Sequence, residues 1–274
     1  MNKLLRLDIR LIYIVLALVV FAPLYRPLGL PLSINEPTKR AFDFVETLPS
    51  GSIVVFCTDV TPATEPENWT QCVAMAKHSM RLGHRLLLIS TVPEGVMYGH
   101  KLVQEYSKGY GLEYGKDIVL MPYRAGEETV VAAFGEDPRS LYEKDYYGTP
   151  TADLGLMQSI NSIKDVALIN TYSGGSVGHQ FARQVEAKHG VPVICGVVSA
   201  GVISHMPYYT SGQLKGMLQG MAGSAEYELI TKVPGKAVAL MDAQSTGHGF
   251  FVFLLILGNI AYFAGRQTKG GQVK

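Results

Sequence analysis

The amino-acid sequence predicts a three-layer α/β sandwich around a mostly parallel sheet of about five strands, with an apolar helix at each end of the chain. Two uncharged stretches, one near each terminus, have the composition of membrane helices. Between them, short apolar runs without alternation are typical of strands buried on both faces. Proline and acidic residues precede, and glycines follow, the helix-like segments that separate these runs.

The first apolar stretch, 11–25, is short for a membrane span, so a cleaved secretory signal is its alternative. We favour a span because no small-x-small cleavage site follows it. The second stretch, 246–266, matches a hydrocarbon core of roughly 30 Å, and its lack of a polar face disfavours a buried core helix. We therefore predict an N-terminal tail and transmembrane helix at 1–32, an α/β domain at 33–245, and a transmembrane helix and tail at 246–274.

Basic residues predict the orientation of these spans. Six of them lie at the outer ends of the two apolar stretches: Lys3, Arg6, Arg10, Arg266, Lys269 and Lys274. The positive-inside rule then places both termini in the cytoplasm and the central domain outside the plasma membrane. Lys and Arg number 24 against 23 Asp and Glu, and this balance gives no electrostatic attraction for nucleic acid. We expect the lipid bilayer as a partner instead.

The middle of the chain contains an alternation of strands and helices. Five runs are predicted as strands: 52–57, 85–90, 117–121, 166–170 and 192–198. The segments 66–82 and 176–189 are predicted as helices, and Asn35 is predicted to cap a short helix before the sheet. Right-handed crossovers then give a flavodoxin/Rossmann-like sheet, for which we expect the flavodoxin-like strand order.

The longest stretch without strand character is 123–163, which contains four tyrosines, three of them within DPRSLYEKDYYGTPTADL. An insertion of this length in a compact domain is usually functional or an interface. We expect it to be one of these.

Ligands of an open parallel sheet collect at the carboxyl ends of its strands. The candidate ligand-binding residues at those ends are Asp59, Tyr123, Arg124, Ser173, Gly174, Gly175, Ser176 and Ser199. The SGGSVG run could present backbone N–H groups to an anion, but it is neither a P-loop nor a dinucleotide-binding fingerprint. A glycine-rich turn with Ser176 as a helix cap is the interpretation that we favour.

Catalytic patterns are missing around these strand ends. Asp59 has no second carboxylate nearby, no G-x-S-x-G elbow is present, and no histidine follows at a spacing typical of a triad. The seven histidines show no metal-ligand spacing, and no cofactor is indicated. Cys57, Cys72 and Cys195 are too few for a disulfide framework, although a Cys57–Cys72 bridge stays open. The sequence therefore favours a non-catalytic protein over an enzyme.

Small residues recur every four positions at Gly216, Gly220 and Ser224, with Gly212 and Gly223 beside them. Glycine inside a helix costs about 1 kcal/mol, so a face of small residues predicts a helix that another backbone approaches closely. That backbone belongs to the sheet of the same chain, to a neighbouring subunit or to the membrane helices. These five residues are our candidate interface, and we expect a homo-oligomer or other membrane subunits as partners.

Several segments carry a resemblance that covers nearly the whole chain: 48–52 (LPSGS), 114–117 (YGKD), 148–150 (GTP), 211–228, 241–245 (MDAQS) and 257–263 (LGNIAYF). Together they resemble an uncharacterised family of small two-span prokaryotic membrane proteins. The resemblance implies this architecture and topology, and it implies no catalytic residue because the family has no established activity. It also implies that Asp242 and Gln244 belong to the shared design.

The expectation from the sequence is therefore a membrane-anchored, non-catalytic α/β subunit or a receptor-like component of a membrane assembly. An enzyme of the outer membrane face, of hydrolase or transferase type with a pocket at the strand ends, is the alternative.

Overall fold

The computed structural model describes residues 8–233 and 235–270, with side chains described as far as Phe263. The chain divides into two compact units. One unit, Leu32–Ala237, contains the sheet, and the other consists of Met1–Pro31 and Val238–Lys274.

The domain is built on six parallel strands in the order β3-β2-β1-β4-β5-β6. The strands are β1 Ile53–Cys57, β2 Arg85–Ile89, β3 Ile118–Leu120, β4 Val166–Ser173, β5 Val193–Val197 and β6 Leu214–Gln219. The predicted parallel α/β sheet is confirmed, with one strand more than expected. The order is that of the Rossmann fold, so the expected flavodoxin-like order is wrong. The chain turns back after the edge strand β3 and pairs β4 with β1.

Helices connect the strands and cover the sheet. Those of the domain are α2 Glu36–Glu46, α3 Thr70–Arg81, α4 Pro93–Tyr106, α5 Glu128–Glu136, α6 Gly155–Gln158, α7 Val177–Phe181, α8 Ala187–His189, α9 Val202–Thr210 and α10 Gly220–Thr231. The segments 66–82 and 176–189 are helical as predicted, and each contains a π-helical turn, at Glu65–Trp69 and Ala182–Glu186. They end at Gly83 and Gly190, whose φ angles are 78° and 74°. Glycine is favoured there because it has no Cβ.

The strands separate two apolar cores, one on each face of the sheet. Val55 and Ile169 belong to one core, and Phe56 and Tyr172 to the other. Alternate residues of each strand therefore enter different cores, which explains the unbroken apolar runs in the sequence.

The three cysteines are buried free thiols. Cys57 and Cys195 lie in one core, whereas Cys72 lies in the other. The sheet thus separates Cys57 from Cys72, and the bridge that the sequence left open is not formed.

The small-residue segment does not form the predicted helix. Leu214–Gln219 is the edge strand β6, paired with β5, and α10 begins only at Gly220. A Cβ on Gly216 would lie 2.5 Å from the backbone of Ala41, because α2 packs directly on this strand. The spacing of four residues therefore arises from a strand followed by a helix, and it does not mark one helix face.

The other members of the candidate interface also lie within the domain. Gly212 forms a turn with a φ of 83°, and Gly223 packs against Leu218. Ser224 is fully buried. Four of the five small residues, Gly216, Gly220, Gly223 and Ser224, are covered by the same chain.

The predicted insertion is part of the core. Leu156, Met157 and Ile160 of α6 and the following turn are buried on the face that contains Ile169. Asn35 is at the N-cap position of α2, as predicted, but its side chain makes no capping bond. Its amide nitrogen donates to Glu226 at 2.8 Å instead.

The second unit contains two apolar helices, α1 Ile9–Tyr25 and α11 Ala237–Gly270. Within the described part of the chain, only α11 is long and apolar enough to cross a membrane. The helix α1 is also apolar, but with 17 residues it is shorter than a helix that meets this criterion. The structure therefore identifies one of the two predicted spans by length and composition. Thr246 of α11 donates to the Val19 carbonyl of α1 at 3.0 Å, which brings the two helices into contact.

Candidate functional site

The strand order locates the crevice where a Rossmann-type sheet binds ligands. The order reverses between β1 and β4, so the loops after these two strands flank that point. A Cβ on Gly174, in the loop after β4, would lie 2.7 Å from the Thr64 methyl group in the loop after β1. The two loops are therefore in direct contact, and they close the crevice at this position.

Asp59 follows β1 and is 3% exposed. Its carboxylate accepts hydrogen bonds from the Thr91 N–H at 2.7 Å, from the Ser90 hydroxyl at 2.9 Å and from the Thr91 hydroxyl. Cys57 Sγ donates a fourth bond at 3.5 Å. Burial raises the pKa of Asp59, and the bonds from Thr91 and Ser90 oppose that rise. The carboxylate thus holds the loop after β2 against the end of β1.

Tyr123 and Arg124 follow β3 at the edge of the sheet. Tyr123 is 37% exposed, and the Arg124 guanidinium lies 5.7 Å from the centre of the Tyr142 ring. Burial raises the pKa of Tyr142, which is 2% exposed. Arg124 is the one cation among the candidate ligand-binding residues. Its observed contact is with the buried Tyr142 ring.

The SGGSVG turn after β4 is stabilised internally. Ser173 Oγ accepts a hydrogen bond from the Gly175 N–H at 2.9 Å. Ser176 precedes α7 without forming a side-chain cap, and its Oγ accepts from Gln180 Nε2 at 3.3 Å. Ser176 is thus at the N-cap position of α7, as predicted, and the glycine-rich turn is present, but the Ser176 side chain makes no capping bond.

Ser199, after β5, is bound to a residue that the sequence did not single out. The Glu67 carboxylate accepts the Ser199 N–H at 2.6 Å and the Ser199 hydroxyl at 3.1 Å. A carboxylate that binds both groups at the start of a helical turn acts as a cap. Glu67 lies in the π-helical turn before α3, whose Glu-Pro-Glu start the sequence showed only as a helix signal.

Gln71 is a second residue of this segment that the sequence did not indicate. Its side chain is fully buried, and Nε2 lies within hydrogen-bond distance of the carbonyls of Val197, Leu218 and Gly220. Asn68 donates to Gln71 Oε1 at 3.0 Å. These amides fix the start of α3 over the carboxyl ends of β5 and β6.

The candidate residues therefore form three separate local networks. Asp59 binds the loop after β2, the Ser173–Ser176 turn binds itself, and Ser199 binds Glu67. Within residues 8–233 and 235–263, no hydrogen bond or ion pair joins one of these networks to another, and no group of three or more His, Cys, Asp or Glu side chains could hold a metal ion. The polar groups at the strand ends shape the loops of the sheet.

A shallow cavity lies away from these strand ends. It has a volume of about 250 Å³ and is lined by Arg139, Thr151, Ala152, Met157 and Gln158. Two of these lining residues are hydrogen-bonded to each other, since Gln158 Nε2 donates to the Ala152 carbonyl at 2.6 Å.

Comparison of this chain with protein-family models, with curated proteins and with solved structures finds no match. A functional assignment therefore rests on the architecture and the contacts of the chain itself.

Proposed function

We propose that this protein is a non-catalytic α/β subunit or receptor-like component of a membrane assembly, anchored by two membrane spans. Both termini lie in the cytoplasm and the α/β domain lies outside the plasma membrane. The observation that carries the proposal is the clamp formed by Asp242. Its carboxylate accepts the backbone N–H groups of Leu28, Gly29 and Leu30 at 2.7, 2.9 and 3.1 Å.

This clamp joins the segment after α1 to the first turns of α11. Asp242 is 3% exposed, and a buried carboxylate needs such hydrogen bonds to remain in place. Further along the helices, Thr246 binds the Val19 carbonyl, and Gly247 lies beside Val20. The two apolar helices are thus held together as an antiparallel pair, as expected for a two-helix membrane anchor.

The outer surface of this pair is strongly apolar. Leu18 and Phe21 of α1 are 64% and 67% exposed, and Phe251 and Phe263 of α11 are 61% and 60% exposed. Exposed apolar side chains in such number are unfavourable in water and are favourable in lipid. The 17 residues of α1 extend about 25 Å, and Arg10 near its start can reach the headgroups, so α1 can span with slight local thinning of the bilayer.

The domain is tied to its two connecting segments by one helix. The Glu226 carboxylate of α10 accepts the N–H and the side-chain amide of Asn35, and Glu228 accepts the Ala237 N–H at 3.1 Å. Both acids are at least nine-tenths buried. A domain restrained at its entrance and its exit is consistent with attachment to two anchors.

A non-catalytic role is supported by the hydrogen bonds that the polar side chains near the strand ends make within the domain. Asp59, Glu67 and Gln71 all bind neighbouring loops or strand ends, so the polar atoms that could act on a substrate instead stabilise the fold. The proposed resemblance to a two-span family of unestablished activity agrees with this assignment.

Topology is tested with tags at both termini and protease treatment of inverted membrane vesicles. We expect both tags to be digested and the α/β domain to be protected. Digestion of the domain from the cytoplasmic side contradicts the orientation. Loss of the N-terminal tag by processing, with the domain still outside, identifies residues 11–25 as a signal sequence and removes the first span from the proposal.

The role in an assembly is tested by native mass measurement of the full chain after mild detergent extraction. We expect a complex heavier than one chain, and the same complex from an Asp59→Asn variant. A single chain that retains a small ligand, and loses it in Asp59→Asn, favours the outer-face enzyme instead.

A further inference from the structure

A chain of hydrogen bonds joins three helices on the face of the sheet that contains Phe56. His78 of α3 is fully buried, and both of its ring nitrogens have partners. Nε2 lies 2.9 Å from a carboxylate oxygen of Glu46 at the end of α2, and Nδ1 lies 2.8 Å from the hydroxyl of Tyr227 in α10. The same hydroxyl lies 2.9 Å from Sδ of Met75, about one turn before His78 in α3. These four side chains form the joint between α2, α3 and α10.

The Glu46 carboxylate fixes the position of the proton on neutral His78. An ionised carboxylate only accepts hydrogen bonds, so Nε2 carries the hydrogen and Nδ1 is left as an acceptor. Tyr227 has a single hydroxyl hydrogen, which it donates to Nδ1. The Met75 sulfur then faces the Tyr227 oxygen with no hydrogen between them, so this close contact is not a hydrogen bond while His78 is neutral.

Protonation of His78 reverses the middle of this chain. Both nitrogens of an imidazolium donate, so Nδ1–H donates to the Tyr227 oxygen while Nε2–H continues to donate to Glu46. The hydroxyl hydrogen of Tyr227 is then released, and Sδ of Met75 is an acceptor within reach. A rotation of the Tyr227 hydroxyl about its C–O bond completes the change, and every polar atom of the joint is then hydrogen-bonded.

The groups around His78 both oppose and favour the added proton. Burial lowers the pKa of His78 from its ordinary value of 6.5, and the hydrogen bond and negative charge of Glu46 act in the opposite direction. Arg81 on the same helix and His84 just after it oppose a positive charge. Tyr227 faces the ring from α10 as a neutral phenol, because burial raises its pKa. The proton therefore binds below pH 6.5.

We infer that the joint is a proton-driven switch, in which the Tyr227 hydroxyl donates to His78 when the imidazole is neutral and to Met75 when it is charged. Both arrangements hold α2, α3 and α10 together, so the joint responds to acid without separating the helices. All four side chains belong to the α/β domain. The inference is therefore independent of the side of the membrane on which that domain lies.

Nitrogen NMR of the full-length protein, with isotope-labelled histidine and in detergent micelles, reports the proton on each ring nitrogen. The His78 signals are assigned by their loss in His78→Gln. We expect the Nε2–H tautomer at about pH 7.5 and protonation of both nitrogens as the pH falls toward about 4.5, with the fold retained.

Met75→Leu tests the switch because it conserves volume and removes the sulfur acceptor. The charged state then loses a hydrogen bond that the neutral state never makes, so the pKa of His78 should fall by roughly 0.5 of a unit. Met80→Leu is the matched control, since Met80 is also buried in α3 but makes no hydrogen bond to Tyr227 within the described residues. In Tyr227→Phe, which lacks the hydroxyl, Met75→Leu should have no further effect.

Equal pKa values for His78 in Met75→Leu and Met80→Leu overturn the switch, and so does an Nδ1–H tautomer of the neutral ring. An effect of Met75→Leu that is the same with and without the Tyr227 hydroxyl shows that the sulfur acts on the histidine directly, which also contradicts the inference. Loss of the folded spectrum before His78 is protonated shows that acid breaks the joint instead of rearranging it.

Discussion

The imidazole rings of His179 and His205 lie with their centroids 3.8 Å apart, and this contact joins α7 to α9. His179 also stacks on Tyr208 at 4.7 Å, and its Nε2 is buried without a hydrogen-bond partner. Arg183, one turn further along, pairs with Glu128 at 3.0 Å. Because the rings are so close, a charge on one opposes a charge on the other, so the contact disfavours protonation of both imidazoles.

Acid should therefore destabilise the domain. Burial, and after it the neighbouring His205, lower the pKa of His179 to about 4 from an ordinary value of 6.5. Between these pH values the unfolded chain binds a proton that the folded chain does not. The contribution of neutral His179 to the free energy of unfolding is therefore fully present above pH 6.5 and is lost as the pH falls toward 4. His179→Phe should reduce this slope by at most about 1 kcal/mol per pH unit, as solvent screens the partly exposed ring.

Urea titrations of the full chain between about pH 7.5 and pH 4.5 measure that slope. Burial also lowers the pKa of His78, His84 and His205, so part of the slope should remain in the variant. His100→Phe, at a partly exposed histidine outside this contact, is the control. Equal slopes for His179→Phe and the unsubstituted protein would show that the contact tolerates charge.

Gln71→Glu should destabilise the domain strongly. The substitution keeps the shape but replaces the amide donor by an anion among the carbonyls of Val197, Leu218 and Gly220. We expect a loss of about 3 kcal/mol or more near neutral pH. Since such a carboxyl would have a raised pKa in the folded state, the loss should diminish as the pH falls toward about 4.

Chemical denaturation at two pH values measures this effect. Gln158→Glu is the matched control, because Gln158 also donates to a carbonyl but is exposed. A similar small change in both variants would contradict the role assigned to the buried amide.

Gly220→Ala should cost more stability than Gly212→Ala. Both glycines have positive φ angles, 60° and 83°, so both variants incur about 1–2 kcal/mol of backbone strain. Only at Gly220 would the new Cβ approach the Ser199 hydroxyl, to 2.2 Å, and displace it from Glu67. We expect about 1 kcal/mol of additional loss there, measured by thermal unfolding. Equal losses would show that Ser199 moves aside without consequence.

Asp242→Ala should release the segment after α1. Three backbone N–H groups lose their acceptor, which corresponds to about 1–3 kcal/mol of local stability. Hydrogen exchange of the Leu28, Gly29 and Leu30 amides should accelerate roughly 5- to 150-fold. Asp153→Ala, at an exposed acid of the domain, should leave these rates unchanged. Unchanged exchange in Asp242→Ala would contradict the clamp.

The five strands predicted from the sequence are all present because their signal is local. A strand buried on both faces requires an unbroken apolar run, and runs such as 52–57 and 85–90 show it directly. Helix ends at Gly83 and Gly190 were equally predictable, since a left-handed terminal residue favours glycine whatever surrounds it.

The sixth strand was not predictable in this way. Its sequence, LKGMLQ, contains no β-branched residue, and Gly216 and Gly220 are spaced as on a helix. Pairing with β5 and the close approach of α2 to Gly216 stabilise it as a strand. Both contacts join residues that are distant in sequence, so the strand propensity of the local residues does not predict them.

The sequence by itself determined the class of the domain, the apolar character of both chain ends and the locations of five of the six strands. The tertiary structure decided the strand order, the partner of every strand-end polar group and the face on which each thiol lies. Asn68, within the glycosylation-like triplet Asn68-Trp69-Thr70, shows the difference: its side chain is fully buried, and it donates to Gln71 and to the Gly196 carbonyl. Periodicity and termination signals act over a few residues, whereas hydrogen-bond partners and burial depend on chain segments brought together only by folding.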